Sequence, residues 1–324
     1  MSAKKDTNHR GRFVLLCVVA FLVATGASAV FKMTYTTPEM RKYSVEWSDE
    51  VGTKVADLSY GEGEANKFDL YLPADDSKEN YGLVVYLHSG GFTTGDKSYD
   101  EPTLAWLCSK GYVACGINYT LFSEDNPESS VYAQSVEIRE AMPYVVEAAE
   151  EAGYHIDKMA ISGGSAGGCL ALLYAYRDVE AWPVPLTVCF EAVGPSSFYP
   201  EDWTSYGFDQ NPEAGVALFS LMAGKEIDPA TLGTAAYDDA IRDISALLWV
   251  DEDTVPTVMA YGAYDTMQPY LGSVRLDAAL TEAGVTHEYY VAEHSGHGLQ
   301  NDTATCAAYM EAVERYLDEY LPVE

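Results

Sequence analysis

Short apolar runs alternate with helix-like segments through most of this chain, and that alternation narrows its fold more than any other feature. The runs "GLVVYLHSGG", "GYVACGINY", "KMAISGG", "LTVCFEAVG", "PTVMAYGAYD" and "THEYYVAEH" are continuous in apolarity, as expected of strands covered on both faces. Helix-like segments fall at about 101–110, 130–152, 165–178, 271–283 and 302–320. Strand and helix taking turns in this way predicts an α/β fold, with a mostly parallel central sheet and helices on both faces. Ahead of it, "KVADLSYG" and "NKFDLYLP" alternate apolar and polar positions, which predicts a hairpin at one sheet edge. Pro143 predicts a kink or break near Ala141, because proline brings no N–H and its ring strikes the preceding turn.

The segment 195–250 is different. It is richer in Pro, Gly, Asp and aromatic residues than its flanks, and longer than an ordinary connection in such folds. It reads as an inserted cap over the carboxyl ends of the strands, where open α/β sheets bind ligands. Trp203, Tyr206, Phe208, Phe219 and Trp249 are the candidates either to line a pocket or to form the insertion's own small core.

Charge and the N-terminus bound the partners. The chain of 324 residues carries 50 Asp plus Glu against 19 Lys plus Arg, a formal net of -31. Phosphate backbones and anionic lipid repel such a surface, which argues against nucleic acid as a partner. Residues 1–29 hold a basic start, an apolar run from Phe13 to Thr25 and then Ala27-Ser28-Ala29, the layout of a cleaved secretory signal or, if retained, of a membrane anchor. Both readings export the globular part, as a secreted protein or one tethered to the outer face of the membrane. Residues 30–52 read as a polar linker and 53–324 as the domain. Cys108, Cys115, Cys169, Cys189 and Cys306 are scattered and lack a C-x-x-C pair, so mostly buried free thiols are expected rather than a disulfide framework or zinc site.

One glycine-rich turn carries the chemistry. "MAISGGSAGGCLALLYAY" lacks the Lys-Ser/Thr of a P-loop and the third glycine of a dinucleotide fingerprint. It does contain Gly163-Gly164-Ser165-Ala166-Gly167, a Gly-x-Ser-x-Gly turn between strand and helix that would expose Ser165 as a nucleophile at a helix N-terminus. A serine hydroxyl needs a base, and the base an orienting acid. "AEHSGHGLQ" supplies His297 between two glycines, with His294 as the alternative. "VMAYGAYDTMQP" places Asp265 at the end of the preceding strand, with Asp251 and Asp253 in reserve. The order Ser165, Asp265, His297 is the one expected on such a sheet. In "YLHSGGFTTGD", Gly90 and Gly91 are placed to offer N–H groups, with that of Ala166, to an oxyanion. His88 is expected to hold that loop rather than transfer protons. A metal role for His294-x-x-His297 lacks a third ligand at helical spacing.

Together, His88-Ser89-Gly90-Gly91, Gly163-Gly164-Ser165-Ala166-Gly167, the Asp265 turn and His294-Ser295-Gly296-His297-Gly298 resemble the α/β-hydrolase superfamily. Within it they are similar to the carboxylesterase and lipase branch of the hormone-sensitive lipase and acetyl esterase families. The resemblance spans roughly residues 53–322, and Ser89 stands where the lipase-like motif usually has glycine. It implies ester hydrolysis through an acyl-enzyme without cofactor or metal, on short acyl or acetyl esters of a small molecule or a polysaccharide. Two other functions share the fold. A serine peptidase of the prolyl oligopeptidase type uses the same triad, but too few residues precede the first strand for its propeller. A non-catalytic binding protein usually lacks a triad member.

Overall fold

The computed structural model describes residues 38–323, so the leader assigned to 1–29 and the first part of the linker lie outside the described residues. Eight strands make one sheet: β1 (Gly52–Ser59), β2 (Lys67–Pro73), β3 (Tyr81–Leu87), β4 (Val113–Ile117), β5 (Ile156–Gly164), β6 (Leu186–Ala192), β7 (Thr257–Gly262) and β8 (His287–Ala292). Their order is β1-β2-β4-β3-β5-β6-β7-β8. The first two pairings are antiparallel and all the others parallel. The β1–β2 hairpin therefore sits at one edge, as the alternating pattern predicts. In the central strands every residue of β4 and β7 is buried, which explains their unbroken apolar sequence.

Helices α1 (Glu101–Ser109), α2 (Val131–Glu151), α3 (Ala166–Tyr176), α6 (Tyr270–Ala283) and α7 (Thr303–Tyr320) alternate with the parallel strands, while α4 (Pro212–Ala223) and α5 (Ala235–Ile241) belong to the insertion. From β3 the chain first steps outward to β4, then reverses and winds through β5 to β8. Right-handed crossovers then put α1 on one face and α2, α3 and α6 on the other. That reversal opens a crevice at the carboxyl ends of β3 and β5, where the chain continues into Ser89-Gly90-Gly91 and Ser165.

Helix α2 runs through Pro143 unbroken, so of the kink or break expected near Ala141 the break does not occur. Pro143 lies on the solvent face of α2, so water can hydrate the carbonyl that it leaves unpaired. Part of the segment read as linker also packs on the domain. Tyr43 is buried edge-on against Trp106, at 5.4 Å between ring centroids, and the Val45 N–H donates to Pro102 O. All five cysteines of the domain are free thiols, four of them buried.

Candidate active site

Ser165 sits where β5 turns into α3, with φ +52° and ψ −118°. A side chain rarely adopts this backbone, and it persists only where the surroundings over-determine it. Here the Ser165 N–H donates to Ala192 O at 2.8 Å and its carbonyl accepts the Cys169 N–H at 3.0 Å. The flanking glycines permit the approach. A Cβ on Gly163 would lie 2.5 Å from Gly167 O, and one on Gly167 would lie 2.0 Å from Leu87 O.

The structure brings together the three residues that the sequence order points to. His297 Nε2 lies 2.8 Å from Ser165 Oγ, and His297 Nδ1 lies 2.7 Å from Asp265 Oδ2. A carboxylate only accepts, so Nδ1 carries the proton and Nε2 is left to accept from the serine hydroxyl. The side chain of Asp265 is wholly buried, and its other oxygen accepts the N–H groups of Met267 and Gln268 at 2.8 and 2.9 Å. The alternatives fall elsewhere. His294 is exposed and bonds Asp302, while Asp251 caps its own turn by accepting the Asp253 N–H.

His88 is buried and stacks on Tyr119 at 4.2 Å between ring centroids. Its Nδ1 donates to Ser89 O, and burial holds its pKa below the usual imidazole range. It secures the loop, as expected. Ser89, the departure from the lipase-like motif, ties that loop to the elbow by donating to Gly164 O at 2.9 Å. Gly91 and Ala166 line the cavity above Ser165, but Gly90 does not. Gly90 also shapes the loop: its carbonyl accepts the Thr93 and Thr94 N–H groups, a Cβ there would strike Thr94 O at 1.9 Å, and its own N–H is not spent on these bonds.

The cavity over Ser165 and His297 measures about 400 Å³ and is walled largely by Phe92, Phe122, Leu218, Leu221, Met222 and Met267. Among the described residues no Lys, Arg, Asp or Glu lines it. Leu218, Leu221 and Met222 come from α4, so the insertion does form one wall. Its aromatic residues divide. Trp203 and Tyr206 reach the cavity. Phe208 and Phe219 pack beneath them as the insertion's core, and Trp249 lies away from the cavity under the Arg242 guanidinium. The aliphatic lining went unread because Leu and Met look like core wherever they occur in a sequence.

Sequence reasoning also missed Glu191. This carboxyl is fully buried in β6 behind the elbow, where Oε2 accepts the Gly194 N–H at 2.8 Å and Oε1 has no hydrogen-bond partner among the described residues. Burial pushes its pKa up to about 8. It also accounts for Gly168, which the elbow motif leaves unexplained, since a Cβ there would lie 2.9 Å from Glu191 Oε2. A lone acid inside the apolar run "LTVCFEAVG" was the available signal.

Comparison with known proteins finds esterases among those similar to this chain. The BD-FAE family profile matches residues 68–190. The Mycobacterium tuberculosis protein named probable carboxylic ester hydrolase LipM is 32% identical over 219 residues, which is 66% of this chain and 48% of that protein. The chain thus spans about half the length of that relative. Inhibited esterase B of Lactobacillus rhamnosis superposes with a TM-score of 0.63 at 19% identity, over 93% of this chain and 96% of that one. Propionate-bound Est2, an esterase of Thermogutta terrifontis, gives 0.62 at 22% identity, over 83% and 95%. At such identities the two structures establish the fold.

Proposed function

We propose that this chain, which has the α/β-hydrolase fold, is a serine carboxylic-ester hydrolase acting through an acyl-enzyme on short, uncharged acyl esters. The observation that carries this is the unbroken relay from Asp265 through His297 to Ser165, opening into an apolar cavity. As His297 Nε2 takes the proton, Ser165 Oγ attacks the ester carbonyl, and Asp265 stabilises the resulting imidazolium. The N–H groups of Gly90, Gly91 and Ala166 are the donors for the oxyanion, aided by the N-terminal dipole of α3; losing one such donor typically costs about 3 kcal/mol of transition-state stabilisation. His297 then protonates the leaving alcohol, and water, activated by the same nitrogen, releases the acid.

A cavity of about 400 Å³ must hold both the acyl and the alcohol part, which favours acetyl to butyryl groups. The propionate-bound neighbour supports the same range. The leader of residues 1–29 supports a site of action outside the cytoplasm. Turnover of p-nitrophenyl acetate by Ser165→Ala tests the proposal: a fall of about six orders of magnitude is expected if the triad acts as a unit, and near-normal turnover would contradict it.

A further inference from the structure

The turn that follows β6 is strained in a way its own sequence does not require. Val193 has φ +52°, a conformation that is a true outlier for a β-branched residue. Strain of this kind survives only where neighbouring contacts hold it, and here they can be named. The Val193 N–H donates to Ala260 O at 2.9 Å. On the next residue the Gly194 N–H donates to Glu191 Oε2 at 2.8 Å, and Gly194 O accepts the Tyr261 hydroxyl at 2.7 Å. The preceding carbonyl, Ala192 O, is the acceptor for the Ser165 N–H. Pro195, just past the turn, lines the cavity beside Ser165 and Ala166.

The packing is cut to fit the Glu191 carboxyl. A Cβ on either Gly168 or Gly194 would lie 2.9 Å from its Oε2. The side chain is wholly buried, and its second oxygen has no hydrogen-bond partner among the described residues. As a mere filler, such a group is poor, because an apolar side chain would avoid leaving a buried oxygen unpaired. What it does supply is a hydrogen bond to the Gly194 N–H, one of the contacts that hold the strained turn.

We propose that Glu191, backed by Tyr261, is a positioning residue that holds the Ala192–Pro195 turn and, through the Ala192 carbonyl, sets the height of Ser165 against His297. This rests on the reading of Ser165 as the nucleophile. Displacing a reacting group by about 1 Å costs on the order of 100-fold in rate, so the effect belongs in kcat and in the reactivity of Ser165.

The test compares Glu191→Ala, Glu191→Gln and Tyr261→Phe with the unaltered protein. Readouts are kcat and KM on p-nitrophenyl butyrate, the rate of Ser165 labelling by a fluorophosphonate, and circular dichroism. Glu191→Ala should lower kcat and labelling together by about 30- to 100-fold with KM within about twofold. Glu191→Gln keeps a carbonyl for the Gly194 N–H and should restore most of both rates. Tyr261→Phe should lower them by about fivefold. Folded variants with unaltered kcat and labelling, or a loss carried by KM, would overturn the proposal. If Glu191→Ala does not fold, Tyr261→Phe decides in the same way. Failure of the unaltered protein to label at Ser165 would instead remove the nucleophile reading itself, and this proposal with it.

Discussion

The Ser165 N–H and the Ala192 carbonyl meet at 2.8 Å, joining two turns that each hold a residue at φ +52°, Ser165 and Val193. Gly164 and Ala192 are partners in the β5–β6 ladder, so both turns leave the sheet at the same level. The candidate nucleophile is thus supported from two sides. α3 takes its carbonyl, and the β6 turn takes its N–H.

Asp265→Asn should cost about four orders of magnitude in kcat. The N–H groups of Met267 and Gln268 fix one oxygen of residue 265 as an acceptor. The amide nitrogen of asparagine must then face His297 Nδ1, which forces the proton onto Nε2 and removes the acceptor for Ser165. Steady-state kinetics on p-nitrophenyl acetate would show it, and a loss below tenfold would contradict the assigned tautomer.

Gly167→Ala and Gly164→Ala should behave differently although both lie in the same pentapeptide. A Cβ at 167 would meet Leu87 O at 2.0 Å, a backbone atom, whereas one at 164 would meet Ser89 Oγ at 3.0 Å, a hydroxyl able to turn aside. Urea unfolding should show a loss of about 1–3 kcal/mol or more for Gly167→Ala and clearly less for Gly164→Ala. Equal losses would mean that the close approach of α3 to β3 is not what requires glycine.

Glu191 should make stability depend on pH. Its pKa is pushed from 4.5 in the free side chain to about 8 in the fold. Between those values the native state keeps a proton that the unfolded chain has released. Its contribution is therefore fully present below about 4.5 and declines as pH rises toward 8, by at most about 1.4 kcal/mol per pH unit. The groups around it, Tyr86, Tyr176, Tyr261, Tyr309, Cys169 and Cys189, are themselves pushed up by burial and stay neutral in that range. Thermal melts from pH 5 to 9 should find Glu191→Gln gaining on the unaltered protein as pH rises. Parallel curves would refute this.

The apolar cavity should refuse an anionic acyl group. A butyrate ester should be hydrolysed at least about 100-fold faster than the hemisuccinate of the same alcohol, because the carboxylate would lose its water and find no partner. Leu221 lines the cavity but is 62% exposed, so Leu221→Lys can keep its ammonium in water. It should narrow that ratio by about tenfold, and added salt should reverse part of the gain. An unchanged ratio would show that the acyl group binds elsewhere.

The sheet, the hairpin edge and the meeting of Ser165, His297 and Asp265 were legible, the first two from local signals and the last from strand order. Apolar continuity marks a strand covered on both faces, and the fold then places Asp265 and His297 by strand order. What stayed hidden depends on distance in three dimensions. Phe208 and Phe219 could not be told from Trp203 and Tyr206 without knowing which side of the insertion meets Ser165. Glu191 was obscured by its apolar neighbours, although its charge type was out of keeping with them.

The role of Ser165 is tested most directly by mass spectrometry of the full chain after treatment with a fluorophosphonate. The expected result is one phosphonyl group per chain, mapped to the peptide bearing Ser165, appearing at the rate at which ester hydrolysis is lost and absent from His297→Ala on the same timescale. Hydrolysis that persists after Ser165 is fully modified, or loss of activity that tracks modification of a different serine, would contradict it.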